Sequence, residues 1–310
     1  MLHPIVLVGL ILFNLLPPLN TRPATSWGSR LDIVIEQLAQ VRFLNRVDVD
    51  EYKRSFAQSS HRLILLDNDG VLKPVEGFPT EDYANTCEVL LKLAENPKNE
   101  VWIISGKTLA NLQEKYGHIT NLNLAGELGT DILPAKGKVA PSLPPISSNT
   151  EDLLCELVKL AEDVGIPETS FKSFKHYVVF RHPKENTRLD GISQTETQVI
   201  LNGMISLTRT KAFSDFELVT YPESSFSALV HKGCNKGLLA QKLLERFTHP
   251  DAVGLSIGDQ YIDEPMHRSM RSRGFFSVIV TKHEDQNTYA RNKLSDHKEV
   301  HDLLKSLSDD

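Results

Sequence analysis

The sequence predicts an α/β protein built on a parallel sheet, with an α+β segment inserted into it. Two observations lead there. Short apolar runs that read as strands buried on both faces end in polar turn residues at Asp67, Ser105 and Asp259. A segment of helical periodicity separates the first two runs, the spacing of a parallel crossover. Between the second and third runs the chemistry breaks off, which places an inserted cap at residues 134–225 and divides the core into 61–133 and 226–310.

The chain has 310 residues, enough for a substantial core. Its 40% hydrophobic and 24% charged content are ordinary for a globular protein. A net charge of −6, with no dense Lys/Arg tract, argues against nucleic-acid binding. Cys87, Cys155 and Cys234 fit neither a disulfide framework nor a zinc site.

Residues 1–20 form an apolar leader whose core, residues 5–16, has the length of a signal-peptide h-region. It has no Lys or Arg before it, so a signal peptide, another leader and a misplaced start codon stay open. The expected location is cytoplasmic, or secretory if the leader is a signal peptide. Residues 21–60 read as a helical lead-in, with Leu31, Ile35, Leu38 and Val41 at three- and four-residue spacing.

Arg62–Leu66 is the first buried strand, and Asn68, Asp69 and Gly70 end it, delivering Asp67 and Asp69 at its carboxyl edge. Two adjacent carboxylates repel unless a cation or a proton lies between them. Mg2+ suits them, since it takes oxygen ligands and commonly one or two carboxylates plus substrate phosphate. An aspartate can attack phosphorus, and a second can protonate the leaving oxygen and then activate water. Taken alone, Asp-x-Asp-Gly also fits an Asx turn; a calcium loop would need an acid where Leu65 stands.

A helix from Thr80 or Glu81 leads to the second strand, Val101, Trp102, Ile103 and Ile104, ended by Ser105, Gly106 and Lys107. Ser105 would lie beside Asp67, able to bond a phosphate oxygen. A third apolar run, Leu122 to Ala125, leads to Gly126, Glu127, Leu128 and Gly129, then to a Pro/Ser/Lys-rich linker at 134–149. Within the insert, residues 151–164 read as a helix, and residues 177–180 and 216–219 as strands. Lys236 then opens an amphipathic helix, where the dipole favours anions, so a nearby carboxylate or phosphate would offset its charge. The run from Ala252 to Ile257 ends in Gly258 and Asp259, with Asp263 four residues on. Asp259 can complete an oxygen cage around Mg2+ on Asp67, and Asp263 can hold Lys236 or a metal-bound water. In this order, these groups form a site rather than a set of turns.

This ordered set resembles the haloacid-dehalogenase-like phosphohydrolases and, within them, the trehalose-6-phosphate phosphatases fused behind trehalose-phosphate synthases. The phrases carrying it are Arg62–Asp67, Ile104–Lys107, Ala125–Gly129, Lys232–Gly237 and Ser256–Asp259. The resemblance implies a Rossmann-like parallel sheet, a Mg2+ cofactor and a sugar-phosphate substrate, with subunits of a trehalose-synthesis complex as possible partners. It casts Asp67 as nucleophile and Asp69 as general acid/base, and Ser105, Gly106 and Lys236 as the phosphate site. Asp67, Asp259 and Asp69, the last through its backbone carbonyl, would hold the metal; Glu127 and Arg181 would hold the sugar. Departures fall mainly on the sugar side. Asn68 and Val71 replace Tyr and Thr, Leu128 replaces a His, Gln260 replaces an Asp, and Ala228 or Leu229 stands where an acid is usual. The cap phrase Ser170, Phe171 and Lys172, followed by Val178, Val179, Phe180 and Arg181, retains only the Arg of the family pattern. Three expectations follow: a trehalose 6-phosphate phosphatase, a catalytically weak regulatory subunit, or a phosphatase for another ester.

Overall fold

A computed structural model describes residues 41–310 apart from 75–79, 184–188, 190, 221–224 and 309–310. The apolar leader and the first half of the lead-in lie outside the described residues.

The described chain opens with β1 (Val41–Phe43), β2 (Asn45–Arg46) and helix α1 (Val49–Gln58). Asp48 caps α1 by accepting the N–H groups of Asp50 and Glu51. The helical periodicity read through Val41 is therefore corrected: Val41 lies in a strand. Pairing with a distant strand decides its conformation, which local spacing does not record.

Next come β3 (Arg62–Leu66), α2 (Thr80–Glu95), β4 (Asn99–Ile104), α3 (Leu109–Tyr116), β5 (Asn123–Gly126) and β6 (Asp131–Leu133). After the residue 134–149 connection follow α4 (Thr150–Glu162), β7 (Phe171–Ser173), β8 (Tyr177–Arg181), α5 (Gln194–Thr208), β9 (Phe216–Thr220) and β10 (Phe226–His231). The chain closes with α6 (Lys236–Arg246), β11 (Val253–Gly258), α7 (Glu264–Ser272), β12 (Phe276–Val280), β13 (Asp285–Thr288), β14 (Asn292–Leu294) and α8 (His297–Ser308).

Eight strands form the main sheet in the order β2-β14-β12-β11-β3-β4-β5-β6. Every pairing is parallel except β5 with β6. The side chains of β3 are all fully buried because the sheet has packed layers on both faces. Ile64 and Leu66 point to the side of α2, α3 and α8, while Leu63 and Leu65 point to α6 and α7. The chain winds outward from β3 in both directions: through β4 and β5 on one side, through β11 and β12 on the other. That reversal opens a crevice at the carboxyl ends of β3, β4 and β11, where a parallel sheet receives its ligand.

The second sheet has four antiparallel strands, ordered β7-β8-β10-β9. Its strands alternate. Val178, Phe180 and Leu229 pack against α4 and α5, whereas Tyr177, Val179, Ala228 and Val230 face the main-sheet crevice. β10 belongs to this sheet, although its residues were assigned from sequence to the second core segment. A mostly apolar central strand reads alike in either sheet, so only its partners tell them apart. Among the described residues no helix is long and apolar enough to cross a membrane.

Candidate active site

The three turns that follow β3, β4 and β11 converge. Asp67 leaves the end of β3 with its backbone N–H donating to the Ile257 carbonyl, so adjacent strands fix its position. Gly70 carries the next bend at φ +81°, a conformation that favours glycine. A Cβ there would lie 2.1 Å from Asp259 Oδ2, so glycine is also what lets the two turns approach.

Lys236, at the start of α6, is buried and central. Its Nζ donates to Asp67 Oδ1 at 2.7 Å and to Asp263 Oδ1 at 2.6 Å. The other oxygen of Asp263 accepts the backbone N–H groups of Asp259 and Gln260, each at 3.1 Å. Asp263 is thereby fully committed to holding the lysine and shaping the β11 turn. Asp67 and Asp259 are left facing each other. Burial raises the Asp67 carboxyl to about 6 even though Lys236 pulls it down. Asp259 is driven well above the usual range by burial first, then by Asp67 and Asp263. Its Oδ1 is buried without a hydrogen-bond partner.

These features test whether a cation fits. Asp67, Asp259 and Asp263 each offer an oxygen within 4.8 Å of the others. Three carboxylates face one ammonium, and one buried oxygen has no donor; a hard divalent cation answers both the charge and the orphaned atom. Mg2+ therefore fits, with Asp67 and Asp259 as the side chains able to bind it. The carboxylate of Asp69 is outside this cluster. It pairs with Lys73 at 2.5 Å and Lys107 at 3.6 Å, and accepts from Asn68 Nδ2 at 3.0 Å. These cations hold the Asp69 carboxyl below its usual value, against an opposing effect of burial.

Ser105, Gly106, Lys107 and Lys236 line the same cleft as Asp67 and Asp69, a space of about 410 Å³ between the two sheets. Arg181 lines it from the exposed end of β8. Glu127, by contrast, is not among the lining residues. It is buried, its Oε2 accepts the Lys175 backbone N–H at 3.2 Å, and burial raises its carboxyl. Glu127 and Leu128 both have positive φ, 50° and 59°, in a tight turn that ties β5 to the cap.

Four features of the site were not assigned roles from sequence. Lys73 pairs with Asp69, and an acid followed four residues later by a lysine was the available signal. Tyr116 donates to Asn68 Oδ1 at 2.8 Å, which orients the residue between the two aspartates. The Tyr177 hydroxyl donates to the Gly106 carbonyl, joining the cap sheet to the β4 turn. Phe174 stacks on Tyr177 at 4.4 Å, and Lys172 lies 4.8 Å above the Phe174 ring. No local pattern marks the last three, since each depends on the two sheets meeting.

The sequence pattern of the trehalose-phosphatase family matches residues 65–159. A trehalose-phosphatase of Schizosaccharomyces pombe is 24% identical over 243 residues, covering 76% of this chain and 27% of that protein. The chain thus spans about a quarter of that relative's length. The C-terminal domain of the C. albicans trehalose-6-phosphate phosphatase superposes with a TM-score of 0.69 at 20% identity, covering 86% of this chain and 99% of that one. The C-terminal domain of the Candida albicans trehalose synthase regulatory protein superposes with a TM-score of 0.66 at 14% identity, with the same coverage. The resemblance read from the ordered motifs is borne out: the chain has the fold of the solved trehalose-6-phosphate phosphatase domain and carries the trehalose-phosphatase sequence pattern over residues 65–159.

Proposed function

We propose that this chain is a Mg2+-dependent phosphatase of a sugar phosphate, with trehalose 6-phosphate the first candidate, acting in trehalose biosynthesis. The observation that carries the reading is the buried ammonium of Lys236 held between Asp67 and Asp263, with Asp259 opposite and Ser105 lining the same cleft. Such a constellation is costly to bury, and a divalent cation on the carboxylates together with the ammonium would let it receive a phosphoryl group.

In the proposed reaction a carboxylate oxygen of Asp67 attacks phosphorus, and the bond from phosphorus to the sugar oxygen breaks. Asp69 gives its proton to the departing oxygen. It then takes one from water, whose oxygen attacks phosphorus and releases Asp67 and inorganic phosphate. Ser105 and Lys236 bind the phosphoryl oxygens. Bound Mg2+ would supply charge stabilisation between the carboxylates and the phosphoryl group. Lys73 and Lys107 flank Asp69, so its protonated form would depend on a substrate that draws those cations away.

One observation favours a second reading. The cap wall of the cleft presents Phe174, Val179, Phe226, Ala228 and Val230 beside Lys172, Tyr177, Arg181 and Ser225, and Leu128 and Ile262 face it from the core. The apolar share of this wall supports either a different ester or a regulatory role, one structural neighbour being a trehalose synthase regulatory protein. Phosphate release from trehalose 6-phosphate beside a panel of sugar and aryl phosphates separates these readings, with EDTA and Asp67→Asn controls. Release that needs both Mg2+ and Asp67 and prefers trehalose 6-phosphate supports the first. Faster release from another ester moves the substrate, and no release from any ester overturns the enzyme reading.

A further inference from the structure

At the opposite end of the main sheet, where β3 and β11 begin, lies a second cluster of metal-ligating side chains. His61 immediately precedes β3, while His249 and Asp251 lie in the turn before β11. Their ligand atoms all fall within 4.8 Å of one another. The imidazoles of His61 and His249 stack with centroids 3.6 Å apart and planes 12° from parallel. His249 Nδ1 lies 3.9 Å from Asp251 Oδ1.

The backbone on both sides is fixed. The Val253 N–H donates to the His61 carbonyl at 3.0 Å, and the Ala252 N–H to the His249 carbonyl at 3.1 Å. Ser60 links two members of the cluster. Its backbone N–H donates to Asp251 Oδ2 at 3.0 Å, and its Oγ lies 2.8 Å from His61 Nδ1. In the tautomer that carries its proton on Nδ1, His61 donates to Ser60 Oγ. Nε2 of His61 is then the nitrogen with the open lone pair. This is the outer arrangement that orients a ligating histidine: one nitrogen bonded to a neighbour, the other left for metal.

We propose that His61, His249 and Asp251 form a site for a borderline transition-metal ion, Zn2+ foremost, that clamps the starts of β3 and β11. Two imidazoles and a carboxylate are the donor set such ions take, whereas Mg2+ prefers oxygen alone. Zinc binds nitrogen at about 2.0–2.1 Å, so two ligands of one ion lie within about 4.2 Å. The stacked rings direct their in-plane lone pairs into parallel planes, so binding one ion requires the exposed His249 imidazole to swing out of the stack and the exposed Asp251 to close on it. The site is separate from Asp67 and Asp259, which lie past the other ends of the same two strands.

Titration of the full chain with Co2+, in excess Mg2+ to occupy the oxygen ligands, tests this by visible absorption. The expected result is a saturable ligand-field band of nitrogen-bound Co2+ that one equivalent of Zn2+ abolishes. His249→Ala should remove the band, Ser60→Ala should weaken binding about 10- to 100-fold, and Asp67→Asn should leave it intact. Melting in Zn2+ should rise in the native chain and stay fixed in His249→Ala, whose exposed side chain makes a folding defect improbable to confuse the reading. No saturable band, a band unchanged in His249→Ala, or a band lost in Asp67→Asn would overturn the proposal.

Discussion

The Lys236 ammonium lies 2.7 Å from the Asp67 carboxylate, with their side chains 1% and 9% exposed. A buried ion pair contributes little net stability, yet removing one partner leaves the other charge stranded in a poor solvent. Lys236→Met strands Asp67 and Asp263 together. The expected loss is about 3 kcal/mol of folding stability at neutral pH, read by denaturant unfolding, with phosphate release abolished. Lys236→Arg should not restore activity, because a planar guanidinium cannot occupy the position of a compact ammonium between two carboxylates. Retention of activity in either variant would remove Lys236 from the phosphate site.

Asp259 carries the opposite sign. Its carboxyl is raised well above the usual range by burial and by Asp67 and Asp263, so in the absence of a cation its charge destabilises the fold. Asp259→Asn should therefore raise the melting temperature measured in EDTA, by an amount corresponding to about 1–2 kcal/mol. The same variant should lose the upward shift that Mg2+ gives the native chain. Thermal melts of both proteins, with and without Mg2+, check the pair of outcomes. A variant that still melts higher in Mg2+ would remove Asp259 from the metal site.

The reason Asp67, Ser105, Lys236 and Asp259 were legible in the sequence is that each sits where a strand stops or a helix starts. Apolar runs and turn residues mark such boundaries directly. Its short spacing from Asp259 marked Asp263 as part of the site, and of the two roles the sequence left open the structure shows the bond from Lys236. The partners of Asp69 were less legible: the four-residue spacing to Lys73 suggests a helix, whereas here it spans an irregular turn with an isolated bridge, and Lys107 arrives from the turn after the neighbouring strand β4. The assignment of Phe226–His231 failed for a similar reason, since its apolar run is compatible with either sheet. Glu127 was expected to hold substrate, and that placement would need its carboxylate turned from the Lys175 N–H toward the cleft. What the sequence conceals throughout is pairing between distant segments, in which no single stretch holds the information.

Gly70 tests the turn geometry without removing a charged group. At φ +81° any side chain is strained, and a Cβ meets Asp259 Oδ2 at 2.1 Å. The left-handed conformation alone costs about 1–2 kcal/mol for a non-glycine residue, and relieving the contact must move Asp259. Gly70→Ala should thus lose at least that much stability and most of its Mg2+-dependent melting shift together. Unchanged Mg2+ response would mean that Asp259 can move without loss of the site.

Glu264, at the start of α7, offers a pH test outside the catalytic cluster. Burial raises its carboxyl to about 7, while bonds from Thr288 and the Tyr289 N–H act in the other direction. The unfolded chain releases this proton near pH 4.5, but the folded chain keeps it until about pH 7. Stability from this group is thus fully present below about pH 4.5 and lost as pH rises through about 7. Buried His267, pushed down to about 4, slopes the other way, its contribution falling away as pH drops below about 6.5. Other groups titrate alike in the native chain and in Glu264→Gln, so the difference between the two isolates Glu264. That difference should grow in favour of the glutamine variant between pH 5 and pH 8, by about 2–3 kcal/mol in urea unfolding. A difference flat with pH would mean that Glu264 is ionised in the folded protein throughout, with a cation or water reaching it that its buried position does not suggest.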